Sequence, residues 1–187
     1  MGYDACYMAL GATIYNFDIS LSDTDRSVYE TLALRVAKQP SETDDYMLTR
    51  VLAYCLEYCE GIEFSKGLAD GNEPAVWAHD YTGALTLWVE AGMPDADKLH
   101  RASKAAPHVA VYTHRDPVML KRNLDGKGIH RATEIPLFTF DRGFLAQLVN
   151  KLDRRMSLDL TVTERQLYVG MGGEMVEGQL IENAIEP

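Results

Sequence analysis

Residues 74–114 read PAVWAHDYTGALTLWVEAGMPDADKLHRASKAAPHVAVYTH, and the fold prediction rests mainly on this segment. It contains three apolar segments with strand character, at residues 74–80, 83–90 and 108–114. Gly92 and Pro94 end the second segment, and Asp95 caps a helix over residues 95–106. A strand, a helix and a strand in succession predict a parallel pair joined by a right-handed crossover.

The preceding residues extend this pattern toward the N-terminus. Apolar residues recur at the helical period over residues 41–60, with Ser41 as the expected N-cap and Asp44 as its capping-box partner. Residues 62–68 read as one more strand. The order helix, three strands, helix, strand is that of the PD-(D/E)XK nuclease-like core (αβββαβ). The sequence therefore predicts an α+β fold built on that core.

Further elements flank the predicted core. An N-terminal β-hairpin is expected from strands at residues 12–20 and 28–37. A short helix at 117–124 and a strand at 135–140 precede a C-terminal helix at 141–154 and a β-hairpin from 157–169 and 174–181. Residues 8–187 are interpreted as a single domain. Residues 1–7 begin no element, and we interpret them as an upstream start or an artificial extension.

Composition restricts the partners. The chain has 187 residues, of which 18 are Lys or Arg and 28 are Asp or Glu, so its formal charge is −10. This charge argues against electrostatic wrapping of a nucleic-acid duplex, although it is compatible with a small acidic metal site or with a protein partner. The N-terminus has no signal sequence, and no apolar run approaches the ~20 residues of a membrane helix. We expect a cytoplasmic protein that does not enter membranes.

A metal-dependent site is predicted at the ends of the middle strands. Asp80 ends one strand of the predicted hairpin and Glu90 ends the next, so their carboxylates are expected to share an Mg²⁺ or Mn²⁺ ion. A nuclease of this kind needs a Lys two residues after the second acid, where this chain has Gly92. Lys98 or Arg101 of the following helix is the expected substitute, because phosphodiester hydrolysis needs further positive charge near the oxyanion.

Each of these residues also has a simpler interpretation. Asp80 is a common residue for the start of a turn, and Glu90 is a plausible solvent-facing charge at a strand end. Glu42 is a further candidate for the site, since it lies at the start of the long helix. Acidic residues favour that position in any case, because negative charge is stabilised by the helix dipole.

Several segments resemble the YaeQ family of bacterial proteins. They are ALGATIYN near the start, AKQPSET, FSKGL, EPAVWAHDYTGALTLWVEAGMPD and VAVYTH. The resemblance extends from residue 8 to the final hairpin, and WVEAGMPD is its most specific part. It implies a variation of the PD-(D/E)XK fold, with Glu42, Asp80 and Glu90 as the carboxylates of the pocket. The basic partner implied is Lys98 or Arg101.

Two functions remain open at this point. The first is a metal-dependent, nuclease-like phosphodiester hydrolase acting on nucleic acid, with Asp80 and Glu90 as the metal ligands. The second is a non-catalytic module that retains the fold and binds a protein or regulatory partner, for example in transcription. The pair of carboxylates favours the hydrolase, whereas Gly92 and the charge of −10 favour the binding module.

Overall fold

A computed structural model describes residues 11–66 and 71–185. The strands are β1 Thr13–Asp23, β2 Val28–Lys38, β3 Ile62–Phe64, β4 Val76–His79, β5 Leu85–Ala91, β6 His108–Thr113, β7 Leu137–Phe140, β8 Arg155–Thr163, β9 Gln166–Met171 and β10 Glu174–Asn183. The α-helices are α1 Asp44–Leu56, α2 Ala96–Ala105, α3 Pro117–Leu124 and α4 Arg142–Asn150. In these residues no helix is both long and apolar enough to cross a membrane.

All ten described strands belong to one mixed sheet, in the order β2-β1-β8-β9-β10-β7-β6-β5-β4-β3. Strand β5 is parallel to β6, as the crossover rule predicts, and β6 is parallel to β7. The first strand pairs in parallel with β8, and β10 pairs with β7 in antiparallel fashion. The N-terminal and C-terminal strands are therefore integral to the sheet.

This arrangement shows that the predicted αβββαβ nuclease-like core with added hairpins is wrong. The order helix, three strands, helix, strand does occur between Asp44 and Thr113. Its strands, however, form one end of a ten-stranded sheet and are not a separate core. The local sequence pattern predicts the order of these elements along the chain. The long-range pairings β1–β8 and β7–β10 determine the architecture.

Helix α1 lies at the centre of the larger hydrophobic core. Nine of its residues are buried, as expected for a helix covered on all sides. Its core cluster includes Ile19 of β1 and Leu160 of β8 as well as Val76 of β4 and Val89 of β5. Because strands from both halves of the sheet contact the same helix, the sheet curls around α1. A second cluster packs α2 and α3 on the outer face of β5–β7.

Two predicted boundaries need correction. Helix α1 begins at Asp44, and its N-cap is Thr43, whose hydroxyl accepts a hydrogen bond from Tyr46 N at 3.2 Å. The predicted cap, Ser41, lies outside the helix, and the helix ends at Leu56 rather than near residue 60. Strand β3 ends at Phe64, and residues 67–68 of the longer predicted strand lie outside the described residues.

The predicted strand at residues 157–169 is in fact two strands joined by a tight turn. Thr163 pairs with Gln166, so the turn consists of Glu164 and Arg165, both with positive φ. Sequence gives little warning of this turn, because Gly or Asn usually occupies such positions. Here the carboxylate of Asp25 accepts hydrogen bonds from both backbone amides, at 2.7 and 2.9 Å.

Candidate functional site

A cleft of about 450 Å³ opens where β5 and β6 end and three helices begin. We call it the arginine cleft. Its lining residues are Ser41, Thr43, Tyr46, Gly92, Met93, His114, Arg115, Asp116, Met119 and Arg142. The carboxyl ends of parallel strands are a common place for ligand sites in sheets flanked by helices.

The two arginines give the cleft its chemical character. Arg115 follows β6 directly and Arg142 is the first residue of α4, and both are exposed. In residues 11–66 and 71–185, neither guanidinium has an ion-pair partner. A second cavity of about 370 Å³ adjoins the cleft and shares Thr43, His114 and both arginines with it. The arrangement concentrates positive charge locally on an acidic protein.

The helices that begin at the cleft reinforce this field. Thr43 is the N-cap of α1, Asp116 is the N-cap of α3, and Asp141 is the N-cap of α4. Each cap side chain accepts a hydrogen bond from the first turn of its own helix. The free amides are thus partly satisfied, and the contribution of the helices is mainly that of their dipoles.

Gly92, at the position where the nuclease motif has Lys, forms part of the cleft wall. Its φ is +83°, and an added Cβ would lie 3.1 Å from Cε2 of Tyr46. Its amide donates a hydrogen bond to the carbonyl oxygen of Tyr112 at 2.8 Å. Burial raises the pKa of Tyr46 to about 12, so its phenol stays protonated near neutral pH. The left-handed backbone and the close Tyr46 ring both favour glycine at this position.

Glu90 and Lys98, two of the predicted site residues, form an ion pair. The ammonium nitrogen of Lys98 lies 2.9 Å from Glu90 Oε2, and Trp88 Nε1 donates a hydrogen bond to Glu90 Oε1 at 2.7 Å. Trp88 and Glu90 share a face of β5, because alternate residues of a strand point the same way, and Val89 packs into the larger core on the opposite face. Burial raises the pKa of Glu90, whereas Lys98 and Trp88 oppose that rise. Neither Glu90 nor Lys98 lines the arginine cleft.

Asp80 lies at the other end of the β4–β5 hairpin. Its amide pairs with Ala84 O, whereas Ala75, next to Glu90 in the ladder, pairs with Val89 O. The six residue steps from Ala84 to Glu90 correspond to about 20 Å of strand. The Asp80 carboxylate accepts hydrogen bonds from the Thr82 hydroxyl at 2.6 Å and from two backbone amides, which lower its pKa.

These positions do not suit one metal ion shared by Asp80 and Glu90. The two residues lie at opposite ends of the hairpin, and both oxygens of Glu90 already contact donors. The described residues contain no cluster of three or more His, Cys, Asp or Glu side chains that could hold a metal. We therefore propose no reaction step that uses Mg²⁺ or Mn²⁺ at these residues.

The remaining predicted residues have other contacts. Arg101 donates a hydrogen bond to Asn72 Oδ1 at 3.1 Å, on the surface. Glu42 is buried, and its Oε1 lies 2.7 Å from Arg50 Nε, off the axis of a hydrogen bond. Its Oε2 accepts a hydrogen bond from Gln39 N at 2.9 Å, and Arg50 also donates to Ala37 O at 3.0 Å. This pair joins the start of α1 to the end of β2.

Sequence reasoning missed the residues that line the cleft. The signal was present in THRDP after the strand at residues 108–114 and in DRG after the strand at 135–140. Both place an arginine next to a helix cap that follows a strand, at the carboxyl edge of parallel strands. The nuclease motif consists of acidic residues and a lysine, and neither arginine belongs to it.

Comparison with known proteins places the chain among one group of bacterial proteins. A family model described as YaeQ protein matches residues 8–180. An uncharacterized YaeQ protein of Salmonella typhi is 32% identical over 175 residues, covering 92% of this chain and 96% of that protein. Its counterpart in Escherichia coli (strain K12) is 30% identical, covering 87% and 90%.

Two crystal structures share the fold. The YaeQ protein from Pseudomonas syringae superposes with a TM-score of 0.84 at 28% identity, over 91% of this chain and 95% of that one. The YaeQ protein from Xanthomonas axonopodis pv. citri gives a TM-score of 0.84 at 25% identity, over 94% and 99%. The ten-stranded architecture is thus similar to that of proteins solved by crystallography.

Proposed function

We propose that this chain, which belongs to the YaeQ family, binds phosphate groups of nucleotides or of nucleic-acid strand ends in the arginine cleft. The relatives named above are described as uncharacterized, so the proposal is argued from the geometry. Arg115 and Arg142 are the binding residues in this proposal. Their planar guanidinium groups match the oxygens of a phosphate in two-point contacts.

One observation carries the proposal. Two exposed arginines line the same cleft without an ion-pair partner in the described part of the chain, although the protein has an excess of ten acidic charges. Other basic side chains of the chain, such as Lys98 and Arg131, pair with carboxylates. Basic groups left unpaired beside an open cavity favour an anionic ligand.

Size and net charge restrict that ligand. A cavity of about 450 Å³ lies in the range of small-molecule and cofactor sites. Long duplexes require many phosphate contacts, and the charge of −10 opposes them. A nucleotide or the end of a single strand needs only one or two phosphates bound.

Binding is preferred to metal-dependent hydrolysis for a specific reason. The hydrolase prediction assigns the metal to Asp80 and Glu90, whereas both oxygens of Glu90 contact donors, Asp80 is distant, and neither residue lines the arginine cleft. Residues of the arginine cleft supply positive charge and a histidine, which suffice for binding.

The test is fluorescence anisotropy with short, single-stranded oligonucleotides that carry a 5′-phosphate, together with calorimetry on mononucleotides. We expect Arg115→Gln and Arg142→Gln each to weaken binding about tenfold, the loss typical of a charged hydrogen bond. Arg122→Gln is the matched control, because Arg122 is exposed on α3 and does not line the cleft. Affinity should also fall as salt rises.

Three results would contradict the proposal. They are the absence of binding by wild type, an equal loss in Arg122→Gln, and cleavage in Mg²⁺ or Mn²⁺ that Glu90→Gln abolishes. The last result, read from denaturing gels of the same samples, would favour the predicted hydrolase over a binding function. Circular dichroism of every variant checks that the fold is retained.

A further inference from the structure

Two exposed methionines line the arginine cleft beside its arginines. Met93 follows Gly92 in the loop after β5, and Met119 lies in the first turn of α3. Met93 is 38% exposed and Met119 is 59% exposed. A single exposed apolar side chain needs no explanation, whereas an apolar patch with polar residues around it is typical of ligand-binding grooves. The cleft therefore offers a ligand an apolar surface as well as positive charge.

The methionines lie on one side of the arginines. Arg115 and Arg142 line both the cleft and the adjoining cavity, so they stand at the junction of the two, whereas the methionines line the cleft alone. The cavity is lined instead by Asp45 and by Leu145, which is buried. A ligand whose phosphate binds both arginines can therefore place an apolar group on the methionine side. The negative charge of Asp45 disfavours a second phosphate in the cavity.

The residues around the methionines suit a nucleobase better than a hydrocarbon chain. Thioether sulfur atoms make favourable contacts with aromatic rings, and both methionines line the same cleft, so one planar ring can contact both. Ser41 and Asp116 line this cleft as well. A base has hydrogen-bond donors and acceptors along its edge that can pair with such groups. A hydrocarbon chain would cover them without partners, at a cost of about 1–3 kcal/mol for each group.

We infer that the arginine cleft binds a nucleotide by its base as well as by its phosphate, with the two methionines in contact with the face of the base while the two arginines hold the phosphate. This inference rests on the proposed function and adds Met93 and Met119 to its binding residues. Every base has an apolar face, so the contact should tolerate different bases. Purines should bind more tightly than pyrimidines, because a larger ring removes more apolar surface from water.

The experiment is calorimetry with adenosine 5′-monophosphate and ribose 5-phosphate, which share the sugar and the phosphate and differ in the base. We expect wild type to bind the nucleotide about tenfold more tightly, because the ring buries apolar surface against two side chains. Met93→Ala and Met119→Ala should each weaken nucleotide binding about threefold and leave the affinity for ribose 5-phosphate unchanged. Arg115→Gln should weaken both ligands equally. The matched control is Met175→Ala, because Met175 is also 59% exposed but lies in β10, outside the cleft.

Methyl ¹H–¹³C spectra provide an independent readout. The ring current of a bound base should shift the methyl signals of Met93 and Met119 on addition of the nucleotide, but not of ribose 5-phosphate, and should leave Met175 unshifted. Equal affinity of wild type for the two ligands, with both weakened by Arg115→Gln, would overturn the inference and leave the proposed function standing. Tighter binding of octyl phosphate than of the nucleotide would also overturn the inference, since the methionines would then contact a hydrocarbon chain. Absence of binding to all three phosphates would overturn both.

Discussion

Gly92 and Tyr46 meet so closely that a Cβ on the glycine would lie 3.1 Å from Cε2 of the tyrosine. The contact and the left-handed backbone at Gly92 together favour a residue without a side chain at this position. The same contact also brings the wall of the arginine cleft to the first turn of α1, because Tyr46 belongs to that helix. The loop after β5 and the start of α1 are thereby fixed relative to each other.

We predict that Gly92→Ala lowers the free energy of unfolding more than Gly83→Ala does. Both glycines have a φ near +80°, so both variants place an alanine in a left-handed backbone conformation, which costs ~1–2 kcal/mol. Of the two added methyl groups, only the one at Gly92 would contact another side chain, that of Tyr46, and this overpacking should cost about 1–3 kcal/mol more. Urea unfolding measures the difference, and equal losses would show that Tyr46 moves aside freely.

We predict that Lys98→Met destabilises the protein in a pH-dependent way. Loss of the cation leaves the Glu90 carboxylate buried and unpaired, which costs about 3–5 kcal/mol. Burial already raises the pKa of Glu90 in the folded state, and loss of Lys98 raises it further. Because the folded state then takes up a proton more readily than the unfolded state, the deficit should shrink as the pH falls toward 5.

The matched control for that variant is Lys104→Met, because Lys104 is exposed on the same helix. A second comparison is the double variant Glu90→Gln, Lys98→Met, which removes both charges and should recover much of the stability. A deficit in Lys98→Met that is the same at pH 5 and pH 8 would mean that Glu90 is not the group left unpaired.

We predict that Tyr112→Phe lowers stability by about 1–3 kcal/mol, the usual cost of an unmade buried hydrogen bond. The Tyr112 hydroxyl donates to Glu57 Oε1 at 2.7 Å. Burial raises the pKa of Glu57, and this hydrogen bond opposes the rise. Its loss should therefore matter less as the pH falls, because Glu57 then takes up a proton. Tyr29→Phe, at an exposed tyrosine, is the control for thermal unfolding.

We predict that Asp25→Ala destabilises the β8–β9 turn by about 1–2 kcal/mol, because two backbone amides lose their acceptor. The loss should be smaller when Glu164 and Arg165 are replaced by Asn and Gly, residues that favour a positive φ. Asp18→Ala removes the same charge from an exposed position of β1 and is the control. A loss of equal size in both backgrounds would show that Asp25 does not support the turn.

Sequence periodicity predicted most elements, because helices and strands of this chain are set by local apolar spacing. It could not predict the order of strands in the sheet. Asn16 pairs with Arg155, and no local signal identifies partners so far apart. For this reason the terminal strands were interpreted as additions to a nuclease-like core, and the fold class was wrong.

The candidate site was predicted in part. The proximity of Lys98 to Glu90 follows from a helix that begins soon after the strand, and the structure contains that ion pair. Asp80 and Glu90 do not lie close together as expected. Residues of a hairpin face each other only at equal distances from the turn, and Asp80 is much nearer to the turn than Glu90. The roles of Glu42, Asp80, Glu90, Lys98 and Arg101 in catalysis remain predictions.

The parallel pairing of β1 with β8 has a consequence during translation. Thr24, just after β1, bonds through its hydroxyl to that of Thr163, which follows it by 139 residues. At ~5–20 residues per second, a ribosome needs roughly 7–28 s to supply the missing strand. For that interval the edge of β1 that later pairs with β8 is unpaired, and such an edge is a template for pairing with other nascent chains. Chaperones that cover exposed strand edges would protect this protein early in synthesis.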